Sequence, residues 1–132
     1  MTATPGETTM LSILLTTMDC ADALTLSQFW ADALGYEYRV KTEGWVIIAD
    51  GKGVGLGFQR VPEPKTVKNR VHLDLIVTGE SFEERRAALE ALGATTQRFV
   101  DNGENDHHYI MQNPEGNESC LVPGPGSEET AP

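Results

Sequence analysis

The order strand, helix, glycine stop and three short strands occurs twice in this chain, and that repeat limits the fold more than any single motif does. Leu34-Gly35 and Leu92-Gly93 end the two helices, 58 positions apart. The same offset lays the strand Leu14–Cys20 over the strand His72–Thr78. In the first copy, Met10–Met18 predicts a strand with Leu11, Ile13, Leu15 and Thr17 on one face. Asp22 is placed to cap a helix whose stripe is Leu26, Phe29, Trp30, Ala33 and Leu34. Gly35 sits where a left-handed residue ends such a helix. Strands at Tyr36–Lys41, Trp45–Ala49 and Val54–Arg60 follow, with Asp50-Gly51 and nearby glycines in the turns.

The second copy opens with a strand at Arg70–Val77. Ser81 and Glu84 form a capping box for a helix that runs to Leu92, with Phe82, Leu89 and Leu92 on one side. Strands at Thr95–Val100, His107–Gln112 and Ser119–Val122 complete it, with Asn113-Pro114-Glu115-Gly116 as a tight turn. Each copy is too small to bury both its helix and its sheet face, whereas two curved sheets together enclose a cavity, the usual place for a ligand. The expected fold class is α+β: two tandem βαβββ modules, about 10–61 and about 69–122, forming a curved mixed sheet around one cavity. The ends, 1–9 and 123–132, hold too little apolar surface to offset the entropy of ordering and read as flexible.

Twenty acidic residues against ten basic ones give a net charge of −10, which argues against nucleic acid and anionic membrane surfaces as partners. No run approaches the ~20 apolar residues of a membrane span. The short apolar stretch Leu11–Leu15 has no preceding Lys or Arg, unlike a secretory signal, so a cytoplasmic location is expected. Cys20 and Cys120 form no CxxC or Cys/His zinc pattern and read as buried, inert thiols.

Asp19-Cys20-Ala21-Asp22, Phe29-Trp30 and Leu34-Gly35-Tyr36 resemble the opening of glyoxalase-like, bleomycin-resistance-type proteins of the vicinal oxygen chelate superfamily. The likeness continues through Leu56–Lys65 and Lys68–Leu75 and closes at Asn113–Glu118. It implies the fold just described, and it leaves activity open, because the superfamily holds lyases, isomerases, dioxygenases and proteins that only bind their ligand. In its metal-dependent members each half places one metal ligand on its first strand and one on its last. Carried over by position, those of the second half fall on His72 and on Cys120, or on Glu118 if the register slips. Those of the first half fall on Leu14 or Leu15 and near Gly55, none of which is a donor. The resemblance therefore implies no favoured cofactor, with His72 and Cys120 as ligands only if a divalent metal is bound. It also implies a homodimer.

His72 and Asp74 lie two apart on a strand and share a face, so both can orient a ligand or act as an acid/base pair. They are the candidate catalytic residues; a histidine and aspartate fixed at a cavity wall without chemistry is the alternative. Asp106-His107-His108-Tyr109 reads either as a run with histidines at an exposed loop edge or as one in which His107 and Tyr109, which share a face, line the cavity rim as ligand-binding residues. The resemblance adds Trp45 and Gln59 to the ligand-binding surface. Arg60, Lys65, Lys68 and Arg70 gather four basic residues in the connector, where they either attract an anionic ligand group or stay solvated. The expected function is binding of a small organic molecule without metal, in the manner of bleomycin-resistance proteins. The alternative is an enzyme of the lyase, isomerase or dioxygenase type using His72 as base or metal ligand.

Overall fold

Each half builds its own sheet and covers it with its own helix. The computed structural model describes residues 10–103 and 106–127; the first expected loose end and the last part of the second lie outside them. The first half comprises β1 (Leu15–Cys20), α1 (Ala23–Leu34), β2 (Glu37–Lys41), β3 (Trp45–Ala49) and β4 (Gly55–Arg60). The second comprises β5 (Leu73–Val77), α2 (Phe82–Ala91), β6 (Thr95–Asp101), β7 (His107–Gln112) and β8 (Glu118–Pro123). The sheets run β1-β4-β3-β2 and β5-β8-β7-β6. In both, the first and last strands pair in parallel and the other neighbours antiparallel, so the repeat is one of topology.

Local chemistry places the helix ends. Asp22 accepts from the Thr25 amide and caps α1; Gly35, at φ 70°, ends it. Ser81 accepts from the Glu84 amide to start α2, and Gly93 has φ 120°. Leu26, Phe29 and Trp30 of α1 are buried with Val46, Ile48, Leu56 and Phe58 of the sheet, while Phe82 and Leu89 of α2 join Tyr109, Met111 and Leu121. Leu92, expected on the α2 stripe, is 38% exposed, because the helix has already ended at Ala91.

Three expectations need correction. The first strand starts at Leu15, not Met10, because its partner β4 begins at Gly55, directly opposite Leu15; Ile13 and Leu14 stay exposed. β5 likewise starts at Leu73, opposite Ser119, rather than at Arg70. Residues 123–127, expected within a flexible tail, are held: Gly79 donates to the Pro125 carbonyl, and buried Ser127 bonds the Gly124 backbone.

One polar clamp joins the halves, and another ties the connector to the second half. The Glu115 carboxylate accepts from the amides of Ala21 (2.7 Å) and Asp22 (2.9 Å) at the start of α1. The second lies in the connector, where Glu118 takes the Asn69 amide at 3.1 Å and Lys65 Nζ at 3.3 Å, while Asn69 Oδ1 accepts from the Glu118 amide at 2.7 Å. Burial opposes the charge on Glu118, but the Asn69 and Glu118 amides and Lys65 outweigh it and hold the carboxyl below its ordinary value. A depressed carboxylate stabilises the fold above its unfolded value, about 4.3, and loses that contribution as pH falls through the folded value. Glu118→Gln is therefore expected to cost about 1 kcal/mol at neutral pH. In urea melts the gap to wild type should close between about pH 5 and about pH 3; a gap unchanged at acid pH would contradict the clamp.

Candidate functional site

A cleft of about 860 Å³ lies between the halves. Every residue from Thr16 to Asp22 lines it. A strand presents alternate residues to any one face, so this unbroken run means that the cleft follows the free edge of β1, which pairs with β4 alone. Trp30 reaches it from α1. The opposite wall comes from the connector and the start of β5, including Glu63, Lys65, Val71 and His72; the turn between β7 and β8 adds Asn113 and Glu115, and the start of β8 adds Glu118. The size is that of an ordinary small-molecule site.

His72 stands at this cleft and also belongs to a cluster on the sheet face away from α2. Its Nδ1 lies 3.2 Å from Asp74 Oδ1. Asp74 and Cys120 are direct cross-strand partners, and donor atoms of His72, Asp74 and Cys120 all lie within 4.8 Å of one another. Burial pushes the Cys120 thiol up, and the charge and hydrogen bond of Asp74 add to that, with Lys68 opposing. Cys120 is thus a half-buried member of a polar group, not the buried inert thiol expected. Cys20 does match that expectation: burial, then the charges of Glu115, Asp19 and Asp22, push its thiol up to about 11, and it donates to the Gln59 carbonyl at 3.5 Å. Both cysteines are free.

The other expected site residues lie elsewhere. Trp45 and Gln59 are cross-strand partners on the face away from α1, where the Trp45 ring lies so close over Gly57 that an added Cβ would meet it at 2.8 Å. Neither lines the cleft. His107 and Tyr109 do share a face, but it is the one against α2, which corrects their placement at a cavity rim. Tyr109 is buried between Phe82 and Phe99, with ring centroids at 5.3 and 5.1 Å, and its hydroxyl bonds Glu83. Burial, then Glu83, pushes that phenol up to about 12. The His107 ring packs on the same two phenylalanines, and its Nε2 is buried without a partner among the described residues. Met111, two further on and buried, sets this phase, so His108 and Ile110 take the open face instead.

Two of the four connector cations are already engaged: Arg60 pairs with Glu43 at 2.9 Å, and Lys65 with Glu118. Sequence reading missed Asn113, Glu115 and Trp30 as cleft residues. The polar run Asn113–Glu118 was visible as a turn, but nothing local shows that it meets α1, 94 residues away.

Some relatives of such folds hold a divalent metal between the halves. Here the imidazole, carboxylate and thiol of the second half suit a three-ligand centre for a borderline-soft ion such as zinc. They do not suit a hard, oxygen-rich centre, and the first half turns Thr17, Gly57 and Trp45 to its own open face, none of which is a ligand of ordinary strength.

A glyoxalase-like domain model matches residues 16–122. A glyoxalase/bleomycin resistance protein/dioxygenase family enzyme from Burkholderia phytofirmans PsJN superimposes with TM-score 0.63 at 15% identity, over 83% of this chain and 96% of that one. The bleomycin-binding protein of Streptomyces verticillus, solved with copper(II)-bleomycin, gives TM-score 0.55 at 12% identity, covering 89% and 99%. A lactoylglutathione lyase from Agrobacterium tumefaciens gives 0.58 at 16%, covering 86% and 93%. No curated protein matches by sequence. At such identities the structural likeness speaks for the fold alone. With two βαβββ halves in place and the domain model spanning nearly all described residues, the chain belongs to the glyoxalase-like domain family of the vicinal oxygen chelate superfamily.

Proposed function

We propose that this protein binds a small organic molecule in the cleft between its halves, without a metal, in the way that bleomycin-resistance-type proteins hold theirs. The cleft itself carries the reading: about 860 Å³, lined by apolar side chains such as Met18, Trp30 and Leu73 together with many polar and charged ones. Metal independence rests on the first half, whose open-face residues Thr17, Gly57 and Trp45 add no ordinary donor to the three of the second half among the described residues.

A second reading, an enzyme of the lyase, isomerase or dioxygenase type, is favoured by the His72–Asp74–Cys120 group. In it Asp74 orients the His72 imidazole, which moves a proton on a substrate lying in the cleft. A divalent ion held by the three would polarise a substrate oxygen. Elemental analysis of the purified protein, after exposure to zinc, nickel, iron and manganese, separates the two. We expect less than stoichiometric metal under every condition. A stoichiometric ion that is lost in both His72→Ala and Cys120→Ala would overturn metal independence and favour the enzyme.

The reading includes a homodimer in the cytoplasm. Ile13, Leu14 and Ile76 are exposed and lie outside the cleft lining, and a second copy would cover them. Two free cysteines suit a reducing compartment. No helix among the described residues is long and apolar enough to cross a membrane. Light scattering on a size-exclusion column should give twice the chain mass, and Ile76→Glu should shift the protein to one copy. A single-copy mass for the wild type at ten micromolar or so would contradict the dimer.

A further inference from the structure

The cleft wall has a charge of its own. Asp19, Asp22, Glu63, Glu115 and Glu118 line it, against Lys65 and His72. Three of these acids are engaged in holding the fold: Asp22 caps α1, Glu115 takes the amides of Ala21 and Asp22, and Glu118 takes the Asn69 amide and Lys65. Lys65 is spent as well, on Glu118 and on the Val67 carbonyl at 2.6 Å, so it is not available to an anionic ligand. The Asp19 and Glu63 carboxylates make no hydrogen bond or ion pair among the described residues. Both are exposed at the cleft, and the chain's net charge of −10 adds a long-range field of the same sign.

The rest of the wall is of two kinds. Met18, Trp30, Val61, Pro64, Val71 and Leu73 give it apolar surface. Trp30 and Asn113, 2% and 5% exposed, each keep a buried N–H group without a partner among the described residues, the indole Nε1 and the amide Nδ2. The orientation of the Asn113 amide follows from its oxygen, which accepts from the amides of Glu115 (2.9 Å) and Asn117 (3.1 Å). Buried donors left over in this way are normally completed by an oxygen from water or a ligand. One comes from each half, so an occupant that satisfied both would bridge the halves.

We propose that the cleft takes a partly apolar organic cation that also carries an acceptor oxygen. Its ammonium group faces the carboxylates of Asp19 and Glu63, its apolar body lies along Met18 and Trp30, and its oxygen turns toward the Trp30 and Asn113 donors. The proposal rests on the cleft being the ligand site.

The test uses Trp30 emission in a Trp45→Phe protein, since the chain has two tryptophans and Trp45 lies away from the cleft. Three matched probes share a phenyl group and an oxygen: phenylalaninol is cationic, N-acetylphenylalaninol neutral and phenyllactate anionic. Saturable quenching is expected with phenylalaninol at about tenfold or more higher affinity than with the other two. That preference should shrink toward parity in Asp19→Asn/Glu63→Gln and at raised salt. Phenyllactate or the neutral probe binding as tightly as phenylalaninol would overturn the cation while leaving a small-molecule cleft in place. No saturable change with any probe would overturn the cation and the cleft together. A preference for phenylalaninol that survives in the double variant would overturn the assignment to these two carboxylates.

Discussion

The carboxylate of Glu115, on a turn of the second half, accepts both amides at the entry of the first half's helix. The two bonds, at 2.7 and 2.9 Å, tie a turn of the second half to the entry of α1. Each half has its own sheet and helix and the extensive packing between elements stays within a half, while the buried apolar residues of both belong to one cluster. A helix start leaves amides without intrahelical partners and carries partial positive charge, so a carboxylate is a suitable plug for it. With that plug and the connector clamp around Glu118 in place, the edges of β1 and β5 are kept near each other without joining. The cleft is the space left between them.

The same bonds concentrate negative charge. Glu115, Asp22 and Asp19 sit around Cys20, and with burial they push its thiol out of the reactive range. At the end of β1, burial and these carboxylates both disfavour the Cys20 thiolate, the reactive form of a cysteine. On the other side, His72 has two neighbourhoods, the cleft and the Asp74–Cys120 pair. A fold shared by a bleomycin-binding protein and a lactoylglutathione lyase leaves room for either use of such a residue, and only the site distinguishes them.

What was legible in the sequence was what local chemistry decides. Asp22, Ser81, Gly35 and Gly93 mark the helix ends, and the strands Trp45–Ala49 and His107–Gln112 were found to the residue, because caps, turns and apolar alternation act over a few positions. The topology followed from the repeat. Strand starts set by a distant partner were not legible: β1 begins where Gly55 begins, although Met10–Leu14 look equally strand-like. Nor was the phase of Asp106–Tyr109, where either alternate set could face the helix until buried Met111 is counted. The cleft was the least legible part. Of the six expected site residues only His72 lines it, since the cleft follows a strand edge and an inter-half clamp rather than a sheet face.

Backbone amide chemical-shift mapping, with any small molecule found to bind the wild-type protein, tests most directly whether the cleft is the site. The account predicts perturbations concentrated on Thr16–Asp22, on the connector near Asn69 and on Asn113–Ser119, from both halves in a single binding event. Perturbations centred on Trp45, Gly57 and Gln59, with those segments unchanged, would place the ligand on an open sheet face and contradict it.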